Sequence, residues 1–255
     1  MPFYFSNSNN LNFYSLVNGF KHPAEYLTKT NIVTNDLVLS LDAGDVLSYP
    51  RSGTTWTDLS GRGNTGTLIN GPTYNSANGG SIVFDGVDDY VNIPFNAPSM
   101  NFSLYQTICM WLRPTTGTFD ARRNPYNQAY GGSGTLTIEQ NGTITYFFGT
   151  NGGDSTPYVG RASSFSLEIN QICHIAVTRN QVTNVTRWYR NGDLSNSSDA
   201  GGYAATSNGS SPITIGDGYV SGFLGNIYDC KVYNRELTSD EILQNFGAMR
   251  QRYGI

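Results

Sequence analysis

Residues 39–93 read LSLDAGDVLSYPRSGTTWTDLSGRGNTGTLINGPTYNSANGGSIVFDGVDDYVNI. Short apolar runs alternate here with Gly, Asn, Asp and Pro, and no helical periodicity persists. The two ends, LSLDAGD (39–45) and SIVFDGVDDYVNI (81–93), read as strands, and the polar middle reads as a long ordered surface excursion between them. This pattern predicts an all-β protein, a two-sheet antiparallel sandwich.

The same grammar extends outward. Asn141-Gly142 lies between the alternating runs 136–140 and 143–146, and Asn191-Gly192 between 187–190 and 193–194. Asn-Gly between such runs marks a hairpin, because both residues tolerate the positive φ of the tight turns. Residues 102–112 form a long strand that stops at Arg113-Pro114, where proline removes a ladder donor. Further strands fall at 172–178, 213–215 and 223–233. No βαβ unit and no internal repeat is visible. One helix is expected, over 239–252. Thr238 and Glu241 form a capping box, Leu237 and Ile242 a hydrophobic staple, and Ile242, Phe246, Met249 and Tyr253 share one face. Arg250 and Arg252 near its end favour the helix dipole. That apolar face docks either on the sandwich or on another subunit.

Residues 1–36 differ from the rest, being rich in Asn, Tyr and Phe with little alternation. They read as an N-terminal arm, held by a neighbouring protein or packed back on its own sandwich. The division is therefore an arm at 1–36 and a domain at 37–255.

Composition narrows the function. A net charge of −4 without a basic run argues against a nucleic-acid surface, which needs clustered Lys and Arg. No run of about 18 apolar residues predicts a membrane span, and residues 1–16 lack the basic and apolar regions of a signal peptide. Cys109, Cys173 and Cys230 each sit in an apolar run, at spacings that fit neither a disulfide framework nor a zinc site. Inert core packing is expected, in a chain made in a reducing cytoplasm.

Residues 37–74 (LVLSLDAGDVLSYPRSGTTWTDLSGRGNTGTLINGPTY), FDGVDDYVNI (84–93), MWLRP (110–114), WYRNGD (188–193) and GNIYDCKVYNRELTSDEILQNF (225–246) together resemble the laminin-G-like jelly-roll family. That family belongs to the concanavalin A-like lectin/glucanase superfold. The resemblance runs from about 33 to 253 and leaves 1–32 outside. It implies a jelly roll with one concave sheet and the FDGVDDYVNI segment near the final strand. SYPRSGTTWTDLSGRGN (48–64) also resembles a subset common in tailed bacteriophages, especially cyanophages, whose members are usually virion structural proteins. The expectation is a non-enzymatic virion component assembled in the host cytoplasm and exposed at the virion surface, as capsid decoration, neck, tail or fibre. Its arm would bind other virion proteins, and homo-oligomers are expected. The alternative is a carbohydrate-binding module whose concave sheet or loop rim attaches to host surface polysaccharide.

Because the superfold includes glycosidases, hydrolysis needs testing. It requires paired carboxylates about the sugar bond, and the glucanase branch carries them as Glu-x-Asp-x-x-Glu. Glu25, Glu139, Glu168, Glu236 and Glu241 show no such spacing. His174 neighbours Cys173 in a strand, so the two side chains point to opposite faces and form no dyad; His22 lies in the arm. No catalytic residue is assigned and no enzyme is expected. Asp85, Asp88 and Asp89, with Asp229 on the adjacent final strand, can offer several oxygens to a structural calcium ion. Equally, Asp85-Gly86 can make an Asx turn with the others solvated. Trp56 reads as a buried anchor under its loop. Tyr126, Tyr130 and Tyr158 read as loop aromatics able to stack on sugars or anchor an interface.

Overall fold

A computed structural model describes residues 14–17, 20–23, 31–100, 102–128, 134–149, 158–199 and 210–255. The strands, in chain order, are β1 (Tyr14–Val17), β2 (Phe20–Pro23), β3 (Leu37–Asp42), β4 (Thr55–Trp56), β5 (Gly66–Ile69), β6 (Thr73–Asn75) and β7 (Ser81–Asp85). Then follow β8 (Tyr90–Ile93), β9 (Tyr105–Pro114), β10 (Arg123–Gln128), β11 (Gly134–Ile138), β12 (Thr143–Gly149) and β13 (Tyr158–Ser166). The last are β14 (Cys173–Asn180), β15 (Val185–Arg190), β16 (Asp193–Asp199), β17 (Ile213–Ile215), β18 (Ser221–Gly222) and β19 (Leu224–Tyr233). Helix α1 (Ser239–Met249) continues as a 3-10 turn, Arg250–Tyr253.

Two sheets form a sandwich. One runs β16-β15-β14-β9-β19-β7-β6, with β3 also paired to β19; the other runs β13-β12-β11-β10-β17-β8-β5-β4, with β18 on β10. Strand alternation fills the space between them. β9 sends Ile108, Met110 and Leu112 inward, while Cys109 and Trp111 face the other side, beneath α1. The Asn191-Gly192 turn has positive φ at both residues (51° and 86°), the geometry that joins β15 to β16 by a two-residue loop. Trp56 is fully buried in the inter-sheet core, as its pattern required. All three cysteines are free and buried. No helix among the described residues is long and apolar enough to cross a membrane.

The outermost strands of the two sheets, β13 and β16, are joined by side chains. Asn196 accepts from the Ser164 N–H (2.9 Å) and donates to the Ala162 carbonyl (3.1 Å), and Trp188 Nε1 donates to the Arg161 carbonyl (2.9 Å). These bonds blunt two edges that would otherwise template foreign strands.

Helix α1 begins with the expected capping box on Thr238 and Glu241. Its apolar stripe docks on this chain's own sheet: Phe246 stacks on Trp111 at 5.6 Å between ring centroids, and Tyr253 lies 4.4 Å from the same indole. Arg252 does something other than complement the helix dipole. Its guanidinium donates to both carboxylate oxygens of Asp42 (2.6 and 2.8 Å), tying the end of the chain to β3. Asp42 stands directly opposite Asp229 across the β3–β19 ladder, and Asp229 is held by the Lys231 ammonium. Each carboxylate therefore has its own cation. Burial pushes the Asp229 carboxyl up to about 6 despite Lys231. Burial, then Lys231, drives His174, packed between Trp111 and Phe246, down to about 3.

Residues 31–36 were assigned by sequence to the arm, yet they pack on the domain. Val33 N–H donates to Asn245 Oδ1 (2.8 Å), and the Val33 carbonyl accepts from Tyr233 OH (2.9 Å). Gln244 Nε2 donates to the Asn31 carbonyl and Asn234 N–H to the Asp36 carbonyl. Val33 and Leu37 join Leu237 and Ile242 in one apolar cluster. Ahead of this, β1 and β2 pair as an antiparallel hairpin; the rest of the arm expectation lies outside the described residues.

The buried histidine and aspartate give opposite pH dependences. The unfolded chain takes a proton on His174 first, so its contribution to stability falls as pH drops below about 6.5, by at most about 1.4 kcal/mol per unit. Folded Asp229 holds a proton between about 4 and 6 that the unfolded chain has released, so its contribution rises as pH drops over that window. His174→Phe should remove the first effect and expose the second. Urea unfolding is expected to show the variant gaining stability relative to wild type from pH 6 to pH 4; a constant difference would contradict the His174 assignment.

Candidate functional site

The acidic turn between β7 and β8 carries the chain from one sheet to the other. Gly86 takes φ 76°, and a side chain there would strike Arg123 and Leu224. Asp85 accepts from the Val87 N–H (2.8 Å), an Asx turn, and Asp89 accepts from the Asp85 N–H (3.0 Å). One carboxylate oxygen from each of Asp85, Asp88 and Asp89 lies within 4.8 Å of the others. Burial first, then the charges of Asp85 and Asp88, raise the Asp89 carboxyl, while its backbone bond lowers it. Asp88 is exposed.

Asp229 does not join this group. β19 meets Asp85 at Leu224 and reaches Asp229 five residues later, opposite Asp42, about 16 Å along the strand. There Asp229 is buried against Lys231. Sequence placed it on the right strand but could not give the register.

The cation that organises this corner is a residue that sequence reading passed over. Arg123, at the start of β10, donates to the carbonyls of Gly222 (2.7 Å), Thr118 (2.9 Å), Gly86 (3.2 Å) and Gly117 (3.3 Å). One guanidinium thus fastens three loops, including the acidic turn. A planar fork with five donors suits this task, and no sequence motif announces it. Asp85, Asp88 and Asp89 can present carboxylate oxygens to a cation such as calcium, although Asp85 and Asp89 each also accept a backbone N–H of the turn.

The carboxylates that hydrolysis would need are otherwise engaged. Glu139 pairs with Arg122 (2.8 Å), Glu168 with Arg190 (2.7 Å), Glu236 with Arg187, and Glu241 with Arg235 (2.7 Å) while also closing the helix cap. Glu25 lies outside the described residues. Burial holds the Cys109 thiol up at about 12 and Cys173 at about 11, and leaves His174 neutral, so none is poised as nucleophile or base.

A second surface is the outer face of the nine-stranded sheet. Register aligns one row across it: Thr67, Asn92, Thr214, Asn127, Thr135, Phe147 and Gly160 stand opposite one another in successive strands. Thr135 Oγ1 donates to Asn127 Oδ1 (2.8 Å), and Asn127 Nδ2 donates to Thr214 Oγ1 (3.2 Å). At one end Phe147 covers Gly160, where a side chain would meet its ring at 2.8 Å. Tyr219 meets Phe147 edge-on at 6.2 Å, and Arg122 lies 5.6 Å over the Phe147 ring. Sequence had named other aromatics. Tyr126 is not a loop residue: it is fully buried on β10, facing the core, because inward and outward positions alternate along that strand. Tyr130 and the Tyr158 side chain lie outside the described residues.

A family model described as the concanavalin A-like lectin/glucanases superfamily, a laminin-G type, matches residues 85–243, and the chain belongs to that family. No curated protein sequence matches it. Among solved structures it is similar to the receptor-binding domain of a botulinum neurotoxin C/D mosaic serotype, with TM-score 0.68 and 14% identity over 84% of this chain and 51% of that one. It is also similar to the binding domain of Paraclostridial Mosquitocidal Protein 1, with TM-score 0.65 and 19% identity over 84% of this chain and 52% of that one. A third likeness is to a botulinum neurotoxin type C structure, whose cell entry is described as dependent upon two ganglioside molecules, with TM-score 0.66 and 15% identity over 85% of this chain and 52% of that one. The chain thus spans about half the length of these proteins, and the likeness is one of fold. No enzyme family is indicated.

Arg123 and two backbone bonds already fasten the acidic turn, so metal-stripped protein should melt at the same temperature with and without millimolar Ca2+. A rise in melting temperature with Ca2+ that Asp88→Asn abolishes would instead establish a calcium site at Asp85, Asp88 and Asp89.

Proposed function

We propose that this chain is a non-enzymatic virion component: a lectin-like jelly roll displayed on or cemented to a phage particle as capsid decoration, neck or tail part. The observation that carries this reading is the clamped root of the arm. Residues 31–36 are bonded to α1 and to β19 and its following loop, so residue 31 is held at a fixed point on the domain. A fixed exit suits a tether to a neighbouring virion protein, and repeated copies on a symmetric particle accord with homo-oligomers. The engaged glutamates support a role without catalysis. The particle itself comes from the resemblance of residues 48–64 to tailed-phage proteins. Under this reading the protein is assembled in the host cytoplasm and displayed at the virion surface.

A second role, attachment to host surface polysaccharide, is favoured by the Asn/Thr row that ends at Phe147 and Tyr219. Amide and hydroxyl groups beside aromatic rings offer a sugar both hydrogen bonds and apolar contact. The ganglioside dependence described for the toxin relative is consistent with this, although it concerns a protein about twice as long.

Deleting residues 1–30 while keeping 31–36 should leave a folded domain with unchanged melting temperature that fails to incorporate into particles. Normal incorporation would sink the tether. On an array of host surface glycans, intact protein should bind at least one saccharide and Phe147→Ala should lose about tenfold or more in affinity, the scale of one lost stacking contact. Uniform absence of binding would leave display as the whole function.

A further inference from the structure

An open sandwich has sheet edges to protect, and most of those here are short or laced. β4, β6 and β18 are two or three residues long, and β13 and β16 are tied to each other by side chains. β3 is different. It runs for six residues, LVLSLD, pairs with β19 on one side, and has no strand on its other side among the described residues. A strand of that length, mostly apolar and uncharged up to Asp42, is the kind that templates a foreign strand.

Backbone groups alternate along a strand, so those of Val38, Ser40 and Asp42 turn away from β19. The surface excursion that follows β3 meets them. Asp58 Oδ1 accepts from the Ser40 N–H (2.9 Å), and the Leu59 N–H donates to the Ser40 carbonyl (2.9 Å). The Val38 carbonyl accepts from Ser60 Oγ (3.1 Å) and from Asn64 Nδ2. The Asp42 N–H donates to Ser48 Oγ (3.1 Å), and the Asp42 carbonyl accepts from the Asp45 N–H (3.2 Å). Five outward-facing backbone groups of β3 thus find partners, all within residues 45–64. The cover is itself fastened. Asp58 also accepts from the N–H groups of Ser60 and Asn64 (both 2.9 Å) and from the Ser60 hydroxyl (2.7 Å), so four donors converge on one carboxylate. Asn64 is held in turn by Ser99 (3.0 Å) and Asn96 (2.8 Å). Asp58 and Asn64 are buried, and bonds from several donors to one charged acceptor are the strong ones.

We propose that residues 45–64 are an edge guard: they occupy the pairing edge of β3 and so keep the domain from joining a second copy of this chain through that strand, with Asp58 as the residue that holds the guard shut. The excluded partner is a second copy because two uncovered β3 edges are identical, and antiparallel pairing of identical edges closes about a two-fold axis. Ser40, near the middle of β3, has both backbone groups covered, and removing the Asp58 carboxylate leaves its N–H without an acceptor. A carbonyl on the β3 of another copy supplies the missing one, and an unsatisfied buried N–H is costly enough to favour the exchange. Residues 48–64, the stretch that resembles tailed-phage proteins, thereby have a task in this fold that depends on no particle.

The test is Asp58→Ala in the full chain, read by size exclusion with light scattering from micromolar to near-millimolar concentration, with circular dichroism to establish that the variant is folded. Wild type sets the baseline mass. Asp58→Ala should double that mass as concentration rises, because pairing about a two-fold axis uses up both edges. Adding Ser40→Pro to Asp58→Ala should restore the wild-type mass, since proline has no N–H to offer and is tolerated on a sheet edge. Ser60→Ala/Asn64→Ala uncovers the Val38 carbonyl while leaving Asp58 on Ser40; it should double as well, and it reads the same edge if Asp58→Ala does not fold. Folded variants that keep the wild-type mass over the whole range would overturn the proposal. So would association of Asp58→Ala that Ser40→Pro leaves unchanged, because that association runs through another surface.

Discussion

Everything in this domain depends on the insertion of its last strand. β19 hydrogen-bonds β9 along one edge, and along the other β7 over its first half and β3 over its second. Without it the eight-stranded sheet falls into two pieces, and the first strand of the domain has no partner in its sheet. The chain must therefore bring residues about 190 apart together before the sandwich closes. Contacts of such separation return their energy only after a large loop entropy has been spent, which is why all-β folds of this kind form slowly. The strand carries its own polar cost too. Asp229 and Lys231 sit two residues apart in sequence, both nearly inaccessible to water, and a buried pair of this sort stabilises little while its disruption is expensive.

The consequences spread outward from that strand. Helix α1 follows it after a short turn and covers the face from which Trp111, His174 and Tyr228 project. Arg252 then reaches Asp42, so that the end of the chain grips the strand where the domain begins. Tyr233, the final residue of β19, donates to the carbonyl of Val33 and accepts from Asn245, joining strand, helix and arm root through one hydroxyl. The proposed attachment role and the fold thus share one structural element. Gln106 and Arg179 close the inter-sheet core at this same end, since Thr107, next to Gln106 on β9, pairs with Tyr233.

Local chemistry was legible in the sequence, and register was not. The Thr238–Glu241 box, the Asn191-Gly192 turn and buried Trp56 each follow from a few neighbouring residues whose conformational needs are strong. Tyr126 was misread because Gly and Asn neighbours look like a loop when the pairing of β10 with β11 and β17 is unseen. Asp229 was placed beside the acidic turn because strand adjacency was inferred without the offset along the strand. Arg123 and Arg179 carried no signal at all, and Arg252 read only as a complement to the helix dipole. Their partners are backbone carbonyls, rings and a carboxylate distant in sequence, which only the folded chain brings near.

Hydrogen exchange followed by mass spectrometry tests the central claim most directly. If β19 binds the arm root, the first strand and the helix into one cooperative unit, peptides covering residues 31–36, 37–42, 224–233 and 239–249 should exchange together, through the same slow opening. Rapid exchange of 31–36 or 239–249 against a protected β19 would contradict it, and would make the arm root and the helix separable additions to a sandwich that stands without them.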